Sequence, residues 1–358
     1  MKTKQTADTA RISSPADVVG VIPAILGFHP SESVVVLCLH MPTNRAGLVM
    51  RVDLPQPRDS EPFAAEMAAR VGRENADAVV VVCYTEEGDS SGELPRRHLI
   101  DQFLDELFLR DIGCTEALLV RADRWWSYTC HRPCCPDSGT PLPTTPTGAA
   151  VAIQAERALA GAAVLPGREA LEASVEGPAG ARKVSLEQRF AAACAQLSEE
   201  VGQRGAAAVR RDSLAAVTEM RDRFMRGDRE LDDADAVRVL AGLEDKWVRD
   251  ALVTWGLDQR GDEIQAFLTV LAQHAVDDSC AAICTVVAAV AYQQGHGALA
   301  LVALQRALRA EPEYQFALLL DSLLDAQVNP REIRAMAQRV RRELVDRGIV
   351  QEANATPV

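Results

Sequence analysis

The stretch from Ser14 to Leu39, SPADVVGVIPAILGFHPSESVVVLCL, leaves this chain few ways to fold. Ser14-Pro15 reads as a helix start: serine accepts from a free first-turn N–H, and proline fits the first helical position. Asp17 sits at the positive end of the helix dipole. Val18, Val19, Ile22 and Ile25-Leu26 supply an apolar face, and Gly27 stops the helix. Phe28-His29-Pro30 then turns the chain, and Ser31, Glu32 and Ser33 lead into Val34–Leu39. That continuous apolar run is what a strand buried on both faces requires.

Strands and helices alternate from there. A loop with Pro42, Asn44 and Gly47 precedes a second strand, Leu48–Leu54, and is too short for a crossover helix. The first two strands are therefore expected to be antiparallel neighbours. A helix follows over Pro62–Glu74, with Phe63, Met67 and Val71 at helical spacing, and then the strand Ala78–Tyr84, AVVVVCY. Arg96–Ile112 is expected to be a helix with Leu99, Phe103, Leu107 and Phe108 turned inward. A fourth strand covers Glu116–Arg121, and a fifth covers Trp125–Thr129 after a tight turn at Asp123-Arg124. The pattern predicts an α/β N-terminal domain with a mixed, partly parallel sheet and helices on its faces.

The composition then shifts. Cys130–Gly148, CHRPCCPDSGTPLPTTPTG, holds five prolines and little to bury, and reads as an irregular loop. Beyond it the spacing is helical, over 149–161, 185–204, 208–226, 231–257, 260–275, 278–294, 297–309, 313–327 and 330–347, with 164–183 ambiguous. The expected division is a sheet domain over 1–140, a Pro/Gly-rich linker and connecting helix over 141–183, and an all-α domain of stacked helical hairpins over 184–350. Residues 1–12 are polar and expected to fray. One helical pair resembles a tetratricopeptide repeat, with Ala288, Gly295, Ala300 and Ala307 at its small-residue positions before Pro312. Ala291 falls where that pattern wants an aromatic, and Tyr292 is one residue late.

A net charge of −13 argues against a dedicated nucleic-acid binder, since phosphate contacts need excess lysine and arginine. The longest apolar run, Ala281–Tyr292, is shorter than the roughly 20 residues a membrane span needs, and the N-terminus has no apolar signal region. Most of the nine cysteines, such as Cys38, Cys83 and Cys194, sit singly in apolar segments, as reduced cytosolic thiols do. A cytoplasmic protein is expected.

Right-handed crossovers would bring the ends of strands two, three and four to one edge of the sheet, where open α/β sheets bind ligands. Asp53, Tyr84, Thr85, Glu86 and Asp123 would line it, joined by His29, Ser31 and Ser33 from the start of strand one and by Trp125 from strand five. His29 equally fits a turn residue, and Ser31 and Ser33 fit partners for free backbone groups in the loop. The G-x-S-x-G elbow, the Walker A loop and the G-x-G-x-x-G fingerprint are absent. A second candidate is Cys130, Cys134 and Cys135 with His131 between them: zinc ligands, a disulfide, or plain thiols. That loop is expected at the opposite end of the sheet from His29. Cys280 and Cys284, at i and i+4, are expected to be core residues. The last helix sets Arg331, Arg334, Arg339, Arg341, Arg342 and Arg347 against Glu332, Glu343 and Asp346; this locally basic, amphipathic segment fits a contact with RNA or an acidic partner, and a charged surface face is the expected reading.

The motifs S-P-A-D-V-V…P-A-I-L-G-F-H-P-S-E-S-V-V-V-L, R-V-D-L-P at Arg51–Pro55 and W-S-Y-T-C…C-C-P-D-S-G-T-P-L at Trp126–Leu142 resemble a domain-of-unknown-function family of high-GC actinobacteria. The run Ala300–Ala317 is similar to it as well. The resemblance implies a bacterial cytoplasmic protein marked by its Gly27–Ser33 and Cys130–Gly139 loops, and implies no activity. These readings together favour a non-enzymatic adaptor or regulator that binds a protein partner through its helical domain, with a small-ligand site on the sheet edge. The alternatives are a hydrolase working at His29, Ser31, Asp53 and Asp123, and a zinc or thiol module at Cys130, Cys134 and Cys135.

Overall fold

The computed structural model describes residues 12, 14–43, 45–89, 92–130, 135–145, 148–159 and 164–351. The expected fraying over residues 1–12 lies outside the described residues except at Ile12. The chain forms two compact units, Met1–Ala155 and Glu156–Val358.

In the first unit, α1 (Pro15–Leu26) begins as the sequence dictates. Ser14 Oγ accepts from the Asp17 N–H, and Gly27, at φ 86°, ends the helix in the left-handed region where glycine is at ease. The remaining elements are β1 (Ser33–His40), β2 (Arg45–Asp53), α2 (Ser60–Arg73), β3 (Ala78–Tyr84), α3 (Arg97–Phe108), β4 (Gly113–Arg121), β5 (Arg124–Ser127) and β6 (Thr140–Pro141). The strand order is β2-β1-β3-β4-β5-β6. β1 is antiparallel to both neighbours, β3 and β4 are parallel, and β5 returns antiparallel. Strands β2, β3 and β4 thus point the same way, with the start of β1 beside their ends.

Both faces are covered. Val34, Val36 and Cys38 of β1 with Val79, Val81 and Cys83 of β3 pack under α2 and α3, while Val35, Leu37, Val80 and Val82 pack under Val18, Val19 and Ile22 of α1. That two-sided burial is why neither strand alternates in polarity.

Within the sheet unit, several local expectations need correcting. Gly47 lies inside β2 rather than in the turn before it. The tight turn is at Ala122-Asp123, both with positive φ (46° and 57°), the geometry that suits a two-residue hairpin. Phe108 is not inward: at about 100° per residue it falls outside the face shared by Leu99, Phe103 and Leu107, and it is 80% exposed. The Pro-rich segment is not wholly irregular, because β6 adds an edge strand to β5.

The second unit follows α4 (Ala149–Leu159), which crosses the division. It holds α5 (Arg168–Val175), α6 (Gly180–Arg204), α7 (Ala206–Met225), α8 (Asp233–Gly242), α9 (Lys246–Val253), α10 (Gly261–Ala272), α11 (Asp277–Gln293), α12 (Gly297–Ala310), α13 (Gln315–Asp325) and α14 (Pro330–Asp346). The single helix expected over 231–257 is broken. Asp245 accepts from the Trp247 N–H and caps a new helix, and a short 3-10 turn, Thr254–Leu257, follows. Every residue of α11 from Ser279 to Gln293 is buried, so this unbroken apolar run is the central helix of a bundle. Cys280 and Cys284 belong to that core, with sulfurs 3.5 Å apart. No helix among the described residues is long and apolar enough to cross a membrane.

Candidate functional site

The register draws one row of residues across the whole sheet. Ser33 faces Asp53 on one side and Tyr84 on the other, Tyr84 faces Val120, Val120 faces Trp125, and Trp125 faces Thr140. Cross-strand partners share a face, so this row lies on the α1 side at the carboxyl ends of β2, β3 and β4. Asp53, Ser33, Tyr84 and Trp125 are thereby brought together from four separate segments.

Their bonding is unusual. Ser33 Oγ, Tyr84 Oη and Trp125 Nε1 are buried and have no hydrogen-bond partner among the described residues. Burial pushes the Tyr84 phenol far above its ordinary range, so it is a neutral donor. Asp53 pairs with Arg51 at 2.5 Å, and Arg51 also donates to the Ser31 carbonyl at 3.2 Å. Ser33 therefore does not serve the loop backbone as expected.

Glu32, the residue between Ser31 and Ser33, does that work. It stands at φ 39°; its carboxylate accepts from the Glu86 N–H at 2.8 Å and from the Thr85 hydroxyl at 2.9 Å. Its carbonyl accepts from the Leu54 N–H at 3.0 Å. One residue thus ties the ends of β2 and β3 to the start of β1. Only its position in a loop between a helix stop and a buried strand hinted at this. Glu86 in turn accepts from the Ala122 N–H at 3.3 Å, holding the β4–β5 hairpin. Glu86 is a brace in this arrangement, Asp123 an exposed turn residue, and His29 an exposed side chain bonded to none of Ser31, Ser33 or Asp53.

The cysteine loop folds back over the sheet. The Trp126 indole N–H donates to the Asp137 carbonyl at 2.9 Å, and Arg124 donates to the carbonyls of Ser138 (2.7 Å) and Gly139 (2.8 Å). Gly139, at φ 72°, lies flat on the Trp126 ring, where a Cβ would overlap it. Between this loop, β5 and the β3–α3 connection opens a cleft of about 770 Å³. Asp89, Glu93, Arg97, Trp126, Cys130 and Cys135 are among its lining residues, as is Trp125. The loop therefore does not stay at the far end of the sheet: the return through β6 brings it beside residues that follow β3. Cys134 and His131 lie outside the described residues; among the described ones, no three His, Cys, Asp or Glu side chains form a group able to hold a metal.

Charge in the cleft is uneven. Asp89 pairs with Arg121 at 2.8 Å. Arg97 is committed to the Tyr128 carbonyl at 2.6 Å and lies 3.7 Å from Asp101. Glu93 and Asp137, which also line the cleft, make no ion pair among the described residues.

A mixed α/β sheet with a cleft at its carboxyl edge, followed by a helical bundle, is the class of protein that fold and site define. The chain belongs to the family described as Domain of unknown function (DUF4192), whose model matches residues 15–331. No curated protein matches the chain, and no solved structure matches it either.

Proposed function

We propose that this chain is a non-enzymatic regulator or adaptor: its sheet unit holds a small, positively charged organic ligand, and its helical unit binds a protein partner. The cleft beside β5 carries the ligand half of this reading. Its volume, about 770 Å³, suits a small molecule, and it opens where α/β sheets place their ligands. Among the described residues, two carboxylates without an ion pair, Glu93 and Asp137, outnumber the one lining guanidinium, whose hydrogen bond to Tyr128 is already made. A primary amine or a guanidine would answer that imbalance. The non-enzymatic half is supported by the separation of the residues a hydrolase would need. Among the described residues His29 bonds to no serine and Ser33 Oγ has no partner, and Asp53 is held by Arg51. A working nucleophile sits within about 3 Å of its base.

The test is thermal unfolding of the full chain with spermidine or L-argininamide added, alongside native mass spectrometry of the chain as purified. A Tm raised by either amine in wild type, and unmoved in Glu93→Gln/Asp137→Asn, is the expected result. No response to any amine, together with a clean apo mass, overturns the ligand reading. One zinc of added mass, lost in Cys134→Ser, would instead assign the loop to metal or thiol chemistry.

A further inference from the structure

We propose that the protein partner of the helical unit is a second copy of this chain, with α13 of each copy seated against α14 of the other. This rests on the reading that the helical unit binds protein. The two helices carry complementary, unsatisfied surfaces.

On α13 only Ala317 and Leu320 are buried. Leu318 and Leu319 are 38% and 58% exposed, a costly way to present two adjacent leucines to water. The chain near them is acidic, although Arg249 lies 4.8 Å over the Phe316 ring and Arg309 lines the same groove as Asp321. Between Arg309 and Arg331 the sequence holds Glu311, Glu313, Asp321 and Asp325 and neither lysine nor arginine. Burial, and then the neighbouring Asp325, push the Asp321 carboxyl above its usual range. A cation brought to this face would relieve that crowding.

α14 offers the opposite. Its inner arginines are used within the fold: Arg334 donates to the Gly256 carbonyl at 2.9 Å, and Arg341 pairs with Asp258 at 3.3 Å. Arg331, Arg339 and Arg342 are different. They are exposed, fall on one side of the helix by their spacing, and make no ion pair among the described residues. An arginine-rich side, broken by the exposed Asp346 and flanked by Glu332 and Glu343, and an acidic, leucine-bearing face thus occupy successive helices.

Two such patches on one chain pair reciprocally about a two-fold axis, and the assembly closes at two copies. The net charge of −13 opposes association at long range, but at physiological salt that repulsion is screened beyond about 8 Å. Local complementarity then decides the register.

Sedimentation velocity on the full chain tests this directly. Wild type is expected to be dimeric at about 20 µM. Asp321→Arg/Asp325→Arg and Arg339→Glu/Arg342→Glu are each expected to dissociate to monomers, with affinity at least about tenfold weaker and helical circular dichroism unchanged. Mixing these two variants should restore a dimer, because each supplies the charge the other has lost. That recovery separates complementarity from misfolding. A monomeric wild type, or charge-reversed variants as dimeric as wild type, overturns the assignment. A monomer whose Tm still rises with amines removes the second copy and leaves the ligand reading standing. A dimer indifferent to amines does the reverse.

Discussion

Tyr84 closes the most deeply buried strand of the sheet with a hydroxyl that has no hydrogen-bond partner among the described residues. A buried donor without a partner costs about 1–3 kcal/mol, because the water it gave up has not been replaced. Ser33 Oγ, its register neighbour, is in the same state. Tyr84→Phe keeps the ring and removes only that liability, so it is expected to leave the fold unchanged and raise its stability by about 1 kcal/mol, read from the urea midpoint. A loss of similar size would mean that the hydroxyl is bonded in solution, by water or by a ligand on the α1 face. Either outcome says whether this row is a cost of the sheet or part of its use.

At the level of elements, the loop that returns from Cys130 to β6 depends on one backbone position. Gly139 has a positive φ and lies against Trp126, so Gly139→Ala is strained and sterically blocked together. It is expected to cost about 2 kcal/mol and to expose Trp126, seen as a red shift of tryptophan emission before global unfolding. An unshifted spectrum would show that the loop does not lean on that ring. The helical unit has a comparable joint. Arg306 is buried and donates to the carbonyls of Val175, Ala272 and Ala275, near the C-terminal ends of α5 and α10, while Gly177 leaves the room its guanidinium needs. Helix ends are where a cation without a carboxylate is best tolerated.

These joints mark the limit of what the sequence could say. The strands β1 to β5 and α1 were legible because apolar runs, a serine cap and a terminating glycine are local signals, whereas β6 has no such run. The gathering of Asp53, Ser33, Tyr84 and Trp125 followed from topology, since strands that share a direction share an edge. Glu32, Gly139 and Arg306 were not legible, because each acts on backbone groups distant in the chain or set by a fold-back that no periodicity announces. The break at Asp245 was hidden by apolar spacing that continues in phase on both sides of it.

For the whole molecule, charge is the property that most restricts what it can touch. Each phosphate contact on DNA releases a counterion, and affinity falls with salt in proportion to the number of such contacts. Three unpaired arginines on α14 would give a log–log salt slope of only about −3, against the repulsion of a body carrying a net −13. The chain is therefore expected to leave duplex DNA and single-stranded RNA unshifted in a gel at physiological salt, up to about 10 µM protein. A shift that vanishes in Arg339→Glu/Arg342→Glu would reassign the stripe from a second copy to a phosphate backbone, and α13 would then need another explanation for its exposed leucines. Without such a shift, the proposed contact between copies, with α13 and α14 as its halves, keeps its charge argument, and the sedimentation of the two charge-reversed variants, alone and mixed, decides it.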